Sequence, residues 1–205
     1  MASTVRSSGA PTARRQEVEA SLLEATEELL SEGQPFADLS VERIATRAGI
    51  SRTAFYFYFA DKNELLERLT SDVNALILEQ ANMWWEDSGS PTDRLRAALA
   101  NALAVYREHS VLIRATAEVA TYDDEVARHR RHLLSQVAEV TERHIEEENA
   151  AGQASCPSPR TTALALTWMS ESAFLQQVTA EYSIDEEQLI ETLASIWVRA
   201  IYGAG

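Results

Sequence analysis

Residues 39–66 read LSVERIATRAGISRTAFYFYFADKNELL. The stretch predicts two short helices joined by a turn and the start of a third, longer helix. Ser40 is placed to cap the first helix, and Gly49 supplies the positive-φ residue that closes it. Ser51 is placed to cap a second helix about one and a half turns long, with Arg52, Thr53 and Ala54 at its front. Asp61, followed three residues later by Glu64, forms a capping box for the third. Helix, glycine turn and short helix match the helix-turn-helix pattern, whose second helix enters the major groove of DNA.

Spacing within ISRTAFYFYF, residues 50–59, separates two tasks. Phe55 and Phe59 lie four apart and fall with Ile50 on the side facing the preceding helices, so these three are expected to be core. Arg52 suits a bidentate contact to guanine, Thr53 a base edge or phosphate, and Ala54 the space beside a thymine methyl. The hydroxyls of Tyr56 and Tyr58 are suited to phosphate oxygens, Phe57 to the sugar backbone, and Lys62 to a phosphate at a helix N-terminus. Arg43, Thr46 and Ser51 complete the expected DNA-contacting set. The bland alternative makes the tyrosines packing residues and Arg52 a solvated charge.

The net charge of −14 opposes a nucleic-acid reading, because phosphate contacts need cations. Its distribution answers the objection. Residues 1–70 carry −3, residues 71–205 carry −11, and residues 40–62 reverse the sign to +2 through Arg43, Arg47, Arg52 and Lys62. A Debye length of about 8 Å gives that local balance more weight than the total.

Outside the motif, 45% hydrophobic residues with only 7 Gly and 5 Pro indicate an all-α chain of about nine helices. Residues 1–13 read as a disordered arm, 14–60 as a three-helix DNA-binding head, and 61–205 as a larger helical domain. The first helix, over 15–32, carries Val18, Leu22, Ala25, Leu29 and Leu30 at helical period and stops at Gly33. Phe36 is expected to plug the core of the head. A long helix over 61–86 is shared by head and body. Ser90-Pro91 and Ser158-Pro159 each pair an N-cap with a proline at the first helical position. Ser183 with Glu186 suggests a further capping box, before the last helix. The final two helices are unusually apolar, which suits either a single large core or a dimer interface. No apolar run is long enough to span a membrane, no leader is evident, and a single Cys156 fits a reducing cytoplasm.

The motif resembles the DNA-binding head of TetR/AcrR-type bacterial regulators, through SVERIATRAGIS, FYFYF and DKNELL. ISRTAFYFYF and the closing IWVRAIYG resemble most closely the EthR-like actinobacterial repressors of that family. The resemblance implies that 61–205 is the ligand-binding and dimerisation domain of a homodimer joined through the last two helices, bound to palindromic double-stranded operator DNA and released by a small molecule. It implies no cofactor and no membrane partner. A cavity built from the helices after residue 61 would be largely apolar and aromatic, suiting a small apolar effector. Candidate contacts are Trp84, Leu99, Leu103, Tyr106, Leu134, Val137, Trp168, Met169, Ser170, Phe174 and Trp197. Thr167 and Ser170 stand where the EthR-like branch carries amides.

Other functional classes find less in the residues. His129 and His132 share a helical face, yet Arg128, Arg130 and Arg131 crowd them, and three or four converging metal ligands are missing. No glycine-framed serine, phosphate-cradling loop or partner set for Cys156 supports catalysis. A helical protein-interaction module that has lost DNA binding is the remaining alternative.

Overall fold

The computed structural model describes residues 13–83, 89–179 and 184–203. Among these the chain is all α-helical apart from one 3-10 turn, as expected: α1 Ala13–Ser31, the turn Phe36–Asp38, α2 Val41–Arg47, α3 Arg52–Phe55 and α4 Lys62–Met83. There follow α5 Pro91–Glu108, α6 Ser110–Val119, α7 Asp124–Ala150, α8 Pro159–Thr179 and α9 Glu186–Tyr202. The chain divides into two compact units, Met1–Leu69 and Thr70–Gly205. The boundary falls inside α4 rather than at residue 60, because Leu65 and Leu66 are fully buried with the head. The proposed arm lies outside the described residues except for Ala13, which opens α1.

Local capping builds the head as its sequence directs. Ser40 Oγ accepts the Arg43 N–H at 3.2 Å, and Ser51 Oγ accepts the Ala54 N–H at 3.1 Å. Gly49, at φ +73°, reverses the chain after α2: its N–H donates to Thr46 O, and the Ile50 N–H donates to Ala45 O. That pair is a Schellman closure, which a side chain at position 49 would strain. Asp61 Oδ1 accepts the N–H groups of Asn63 and Glu64, while the Glu64 carboxylate reaches back to the Ala60 N–H. Phe36, Phe55, Leu22, Leu29, Leu39 and Ile44 are fully buried, and Phe59 nearly so; Ile50 is only half-buried. Burying each large apolar side chain contributes roughly 1.5–3 kcal/mol, which suits a head too small to rely on few contacts.

Two cations stitch this unit internally. The Lys62 ammonium donates to the carbonyls of Phe36, Ala37 and Leu39 at 2.8, 2.9 and 3.1 Å. It also lies 4.9 Å from the centre of the Phe36 ring. The expected phosphate role of Lys62 is therefore corrected: its three N–H donors are taken by the connection between α1 and α2. Arg47 ties α2 to α1, forking onto Glu32 at 2.9 and 3.2 Å and reaching Glu28 at 3.1 Å.

In the second unit α7 packs on α8 and α5 on α9, with α6 and α8 also in contact. Ser90 caps α5 by accepting the Asp93 N–H, with Pro91 in the first helical position. Asp185 caps α9 by accepting the Gln188 N–H at 2.9 Å; the capping box expected at Ser183 lies outside the described residues. Leu95, Leu99, Leu103, Ile145, Leu166, Phe174, Leu193 and Trp197 belong to one continuous core. Cys156 is buried, and its backbone N–H and C=O are both held by the Asn149 side chain.

Lys62→Met removes the donor from three backbone acceptors and is expected to destabilise the head by about 2–3 kcal/mol. Lys62→Arg should restore part of the loss. Denaturant unfolding followed by circular dichroism, with hydrogen exchange at residues 36–44, would measure both.

Candidate nucleic-acid interface and ligand cavity

α3 has only four residues, and turns continue it: Phe57 N–H to Ala54 O, and both Tyr58 and Phe59 N–H to Phe55 O. This one-sided anchorage by Phe55 and Phe59 presents Arg52, Thr53, Tyr56 and Phe57 to solvent. Phe57 is 74% exposed and Tyr56 49%, high values for rings that find no place in the core. Ala54 and Tyr58 are half-buried, and the Tyr58 ring lies 5.8 Å from the Arg15 guanidinium. Ser51 is exposed at the N-cap, where its hydroxyl hydrogen can still be donated outward. Arg43 and Thr46 share a shallow exposed groove on α2 with Ser40 and Arg47.

The electrostatics of this face differ from a simple charge count. Glu32 and Glu28 hydrogen-bond Arg47 and hold its proton more firmly, and Arg47 in turn holds the Glu32 carboxyl below its ordinary range. Together with the internal use of Lys62, this leaves Arg43 and Arg52 as the outward cations of the motif. Arg52 makes no hydrogen bond or ion pair among the described residues, so its planar fork is available for an external partner.

The second unit holds a cavity of about 90 Å³, almost wholly apolar. Of the candidate ligand contacts, Leu99, Tyr106, Leu134, Val137, Ser170, Phe174 and Trp197 stand in its wall. The Trp197 Nε1–H donates to Ser170 Oγ at 2.9 Å, and Tyr106 meets Phe174 edge to face at 5.5 Å between ring centres. Burial, with the Glu171 carboxylate adding to it, pushes the Tyr106 phenol far up, so it stays protonated. The Thr167 hydroxyl also lines the cavity, buried and without a protein partner.

Three candidate contacts are corrected. Trp168 is 56% exposed, because the buried side of α8 runs through Ala163, Leu166, Thr167, Ser170 and Phe174, leaving position 168 outward. Leu103 and Met169 pack in the surrounding core without lining the cavity. Trp84 lies outside the described residues. The sequence reading missed Ile77, Gln80 and Ala81 on α4, and Ala98 and Ala102 on α5. Leu95 precedes Leu99 by one turn and was legible as its neighbour; the alanines were not. They make the space by being small, and a small residue reads in sequence only as a helix former.

Residues 95–203 match the family described as transcriptional regulator EthR, C-terminal domain, and residues 22–69 match bacterial regulatory proteins, tetR family. Over 191 residues the chain is 32% identical to the HTH-type transcriptional regulator EthR of Mycobacterium tuberculosis, covering 87% of this chain and 85% of that protein. The chain belongs to the TetR family, in its EthR-like branch. The corresponding regulator of Mycolicibacterium smegmatis is 28% identical over 90% of this chain and 86% of its own length. In fold, this EthR-like chain resembles the transcriptional regulator FadR from Bacillus subtilis in complex with stearoyl-CoA. The TM-score is 0.71 at 15% identity, covering 89% of this chain and 99% of that one. A TetR-family regulator of Mesorhizobium loti gives 0.70 at 19%, covering 93% and 100%. An EthR-like chain is a DNA-binding, ligand-responsive transcriptional regulator and not an enzyme. Among the described residues, no helix is long and apolar enough to cross a membrane.

In this EthR-like regulator Arg52 and Arg47 should separate cleanly. Arg52→Ala is expected to lose about 1–3 kcal/mol of discrimination at one operator position, with the melting temperature unchanged. Arg47→Ala should lower the melting temperature instead. Since the Glu32 carboxyl is held low, the clamp is intact at neutral pH and is lost as pH falls through that lowered value. The gap in melting temperature between wild type and Arg47→Ala should therefore close on acidification.

Proposed function

We propose that the protein is a homodimeric repressor whose two heads occupy the half-sites of a palindromic operator and leave it when a small apolar molecule enters the cavity. The observation that carries the DNA half of this reading is the uncommitted, outward Arg52-Thr53 end of α3. Lys62 and Arg47 are committed to partners within the head, whereas Arg52 has none among the described residues. Arg52, Thr53 and Ala54 are the proposed base readers. Arg43, Thr46, Ser51, Tyr56 and Tyr58 are the proposed phosphate contacts, with Phe57 against the sugar backbone.

The dimer reading draws on α8 and α9, where Trp168 and Ile196 remain 56% and 41% exposed beside Ala165 and Ala200. Large apolar side chains left in solvent on adjacent helices suit a partner surface. A symmetric pair would place two heads at a fixed half-site spacing, so a small change in separation removes contacts in both half-sites at once. The effector reading draws on the apolar cavity. Its volume of about 90 Å³ is below that of an engineered cavity which takes benzene, about 150 Å³, so a ligand must widen it. That widening is the proposed source of the conformational signal.

Fluorescence anisotropy with DNA from the protein's own promoter is expected to show selective, strongly salt-dependent binding. Equal affinity for random DNA at moderate salt would sink the proposal. Trp168→Glu should yield a folded monomer by analytical ultracentrifugation, with operator affinity down by about a hundredfold or more as the linked second head is lost.

A further inference from the structure

A second, smaller cavity adjoins the first within the same unit. Ile77, Tyr106, Leu134 and Glu171 stand in the walls of both. The first is apolar, whereas the second, of about 40 Å³, is lined also by Thr70, Asn74, Thr116 and Arg130. Forty cubic ångströms hold a few water-sized groups, which is room for a short polar head. A hydrocarbon tail does not fit there, but a polar headgroup does. Arg130 and Glu171 form an ion pair beside this space, the carboxylate being the more deeply buried of the two.

Resting on the ligand-responsive reading above, we infer that the effector is a neutral amphiphile. Its tail lies in the apolar cavity, and its uncharged polar head, of the primary-amide class, lies between Arg130 and Asn74. The ion pair decides the charge. Arg130 and Glu171 cancel, so an anionic head would set two carboxylates around one guanidinium in a part-buried space. A cationic head would face Arg130 itself. Burying an unbalanced charge costs far more than burying a hydrogen-bonded neutral group. Arg130 uses one N–H on Glu171, leaving other donors for a carbonyl oxygen. The Thr116 hydroxyl donates to Leu112 O at 2.9 Å, which leaves its oxygen to accept from an amide N–H. Asn74 offers both a donor and an acceptor, as an amide head requires.

Octanamide and octanoate share a tail and differ in head charge at neutral pH, so they isolate the inference. Octanamide is expected to raise the melting temperature and to release operator DNA at a concentration about tenfold or more below that of octanoate. Glu171→Gln removes the competing carboxylate and should close or invert that gap. Asn74→Ala, at a half-buried position that packing tolerates, should weaken octanamide and leave octanoate unchanged. Equal potency of the two compounds in the wild type, or an unaltered gap in Glu171→Gln, overturns the headgroup assignment while leaving an apolar effector in place. Silence of both compounds in melting temperature and DNA release overturns the effector reading and this inference together.

Discussion

One ammonium group holds the DNA-binding head in shape. The 3-10 turn Phe36–Asp38 and the residue after it aim three carbonyl oxygens at a single point, and Lys62 fills it. Without a cation there, the acceptors would face one another across a space next to a fully buried Phe36 ring. The same residue begins α4, so it joins the start of that helix to the connection between α1 and α2. The connection it holds leads directly into α2, the glycine reversal at its end and the short α3.

Charge is spent in an unexpected pattern. A chain of −14 would gain from presenting every cation near its motif to a phosphate, yet Lys62 and Arg47 are bound to partners within the head. Their value lies in geometry rather than in field. The outward face keeps Arg43 and Arg52, enough for directed contacts and too little for indiscriminate attraction. Acidity elsewhere in the chain reinforces that selectivity, since it opposes loose association with any polyanion.

Local signals were legible in the sequence and tertiary ones were not. Ser40, Ser51, Gly49, Asp61 and Ser90 each act within one helical turn, so their roles follow from spacing alone, and the structure has them doing what the spacing implied. Lys62 was misread because its partners lie more than twenty positions earlier. Trp168 was misread because α8 is apolar on several sides, and periodicity then cannot say which side is inward. The cavity was half legible for a related reason. Large side chains announce a wall, but the gap they surround is made by Ala81, Ala98 and Ala102, whose absence of bulk leaves no mark in the sequence.

The brevity of α3 has an evolutionary meaning. Four residues cannot sustain a helix by themselves, since nucleation costs more than so few hydrogen bonds return. The element exists because Ser51 opens it and Phe55 and Phe59 pin it from below. Arg52 and Thr53 contribute nothing to that anchorage. With Arg52 and Thr53 as the proposed base readers, operator preference in such a head can drift one side chain at a time, while the scaffold pays no penalty and selection on folding remains blind to the change.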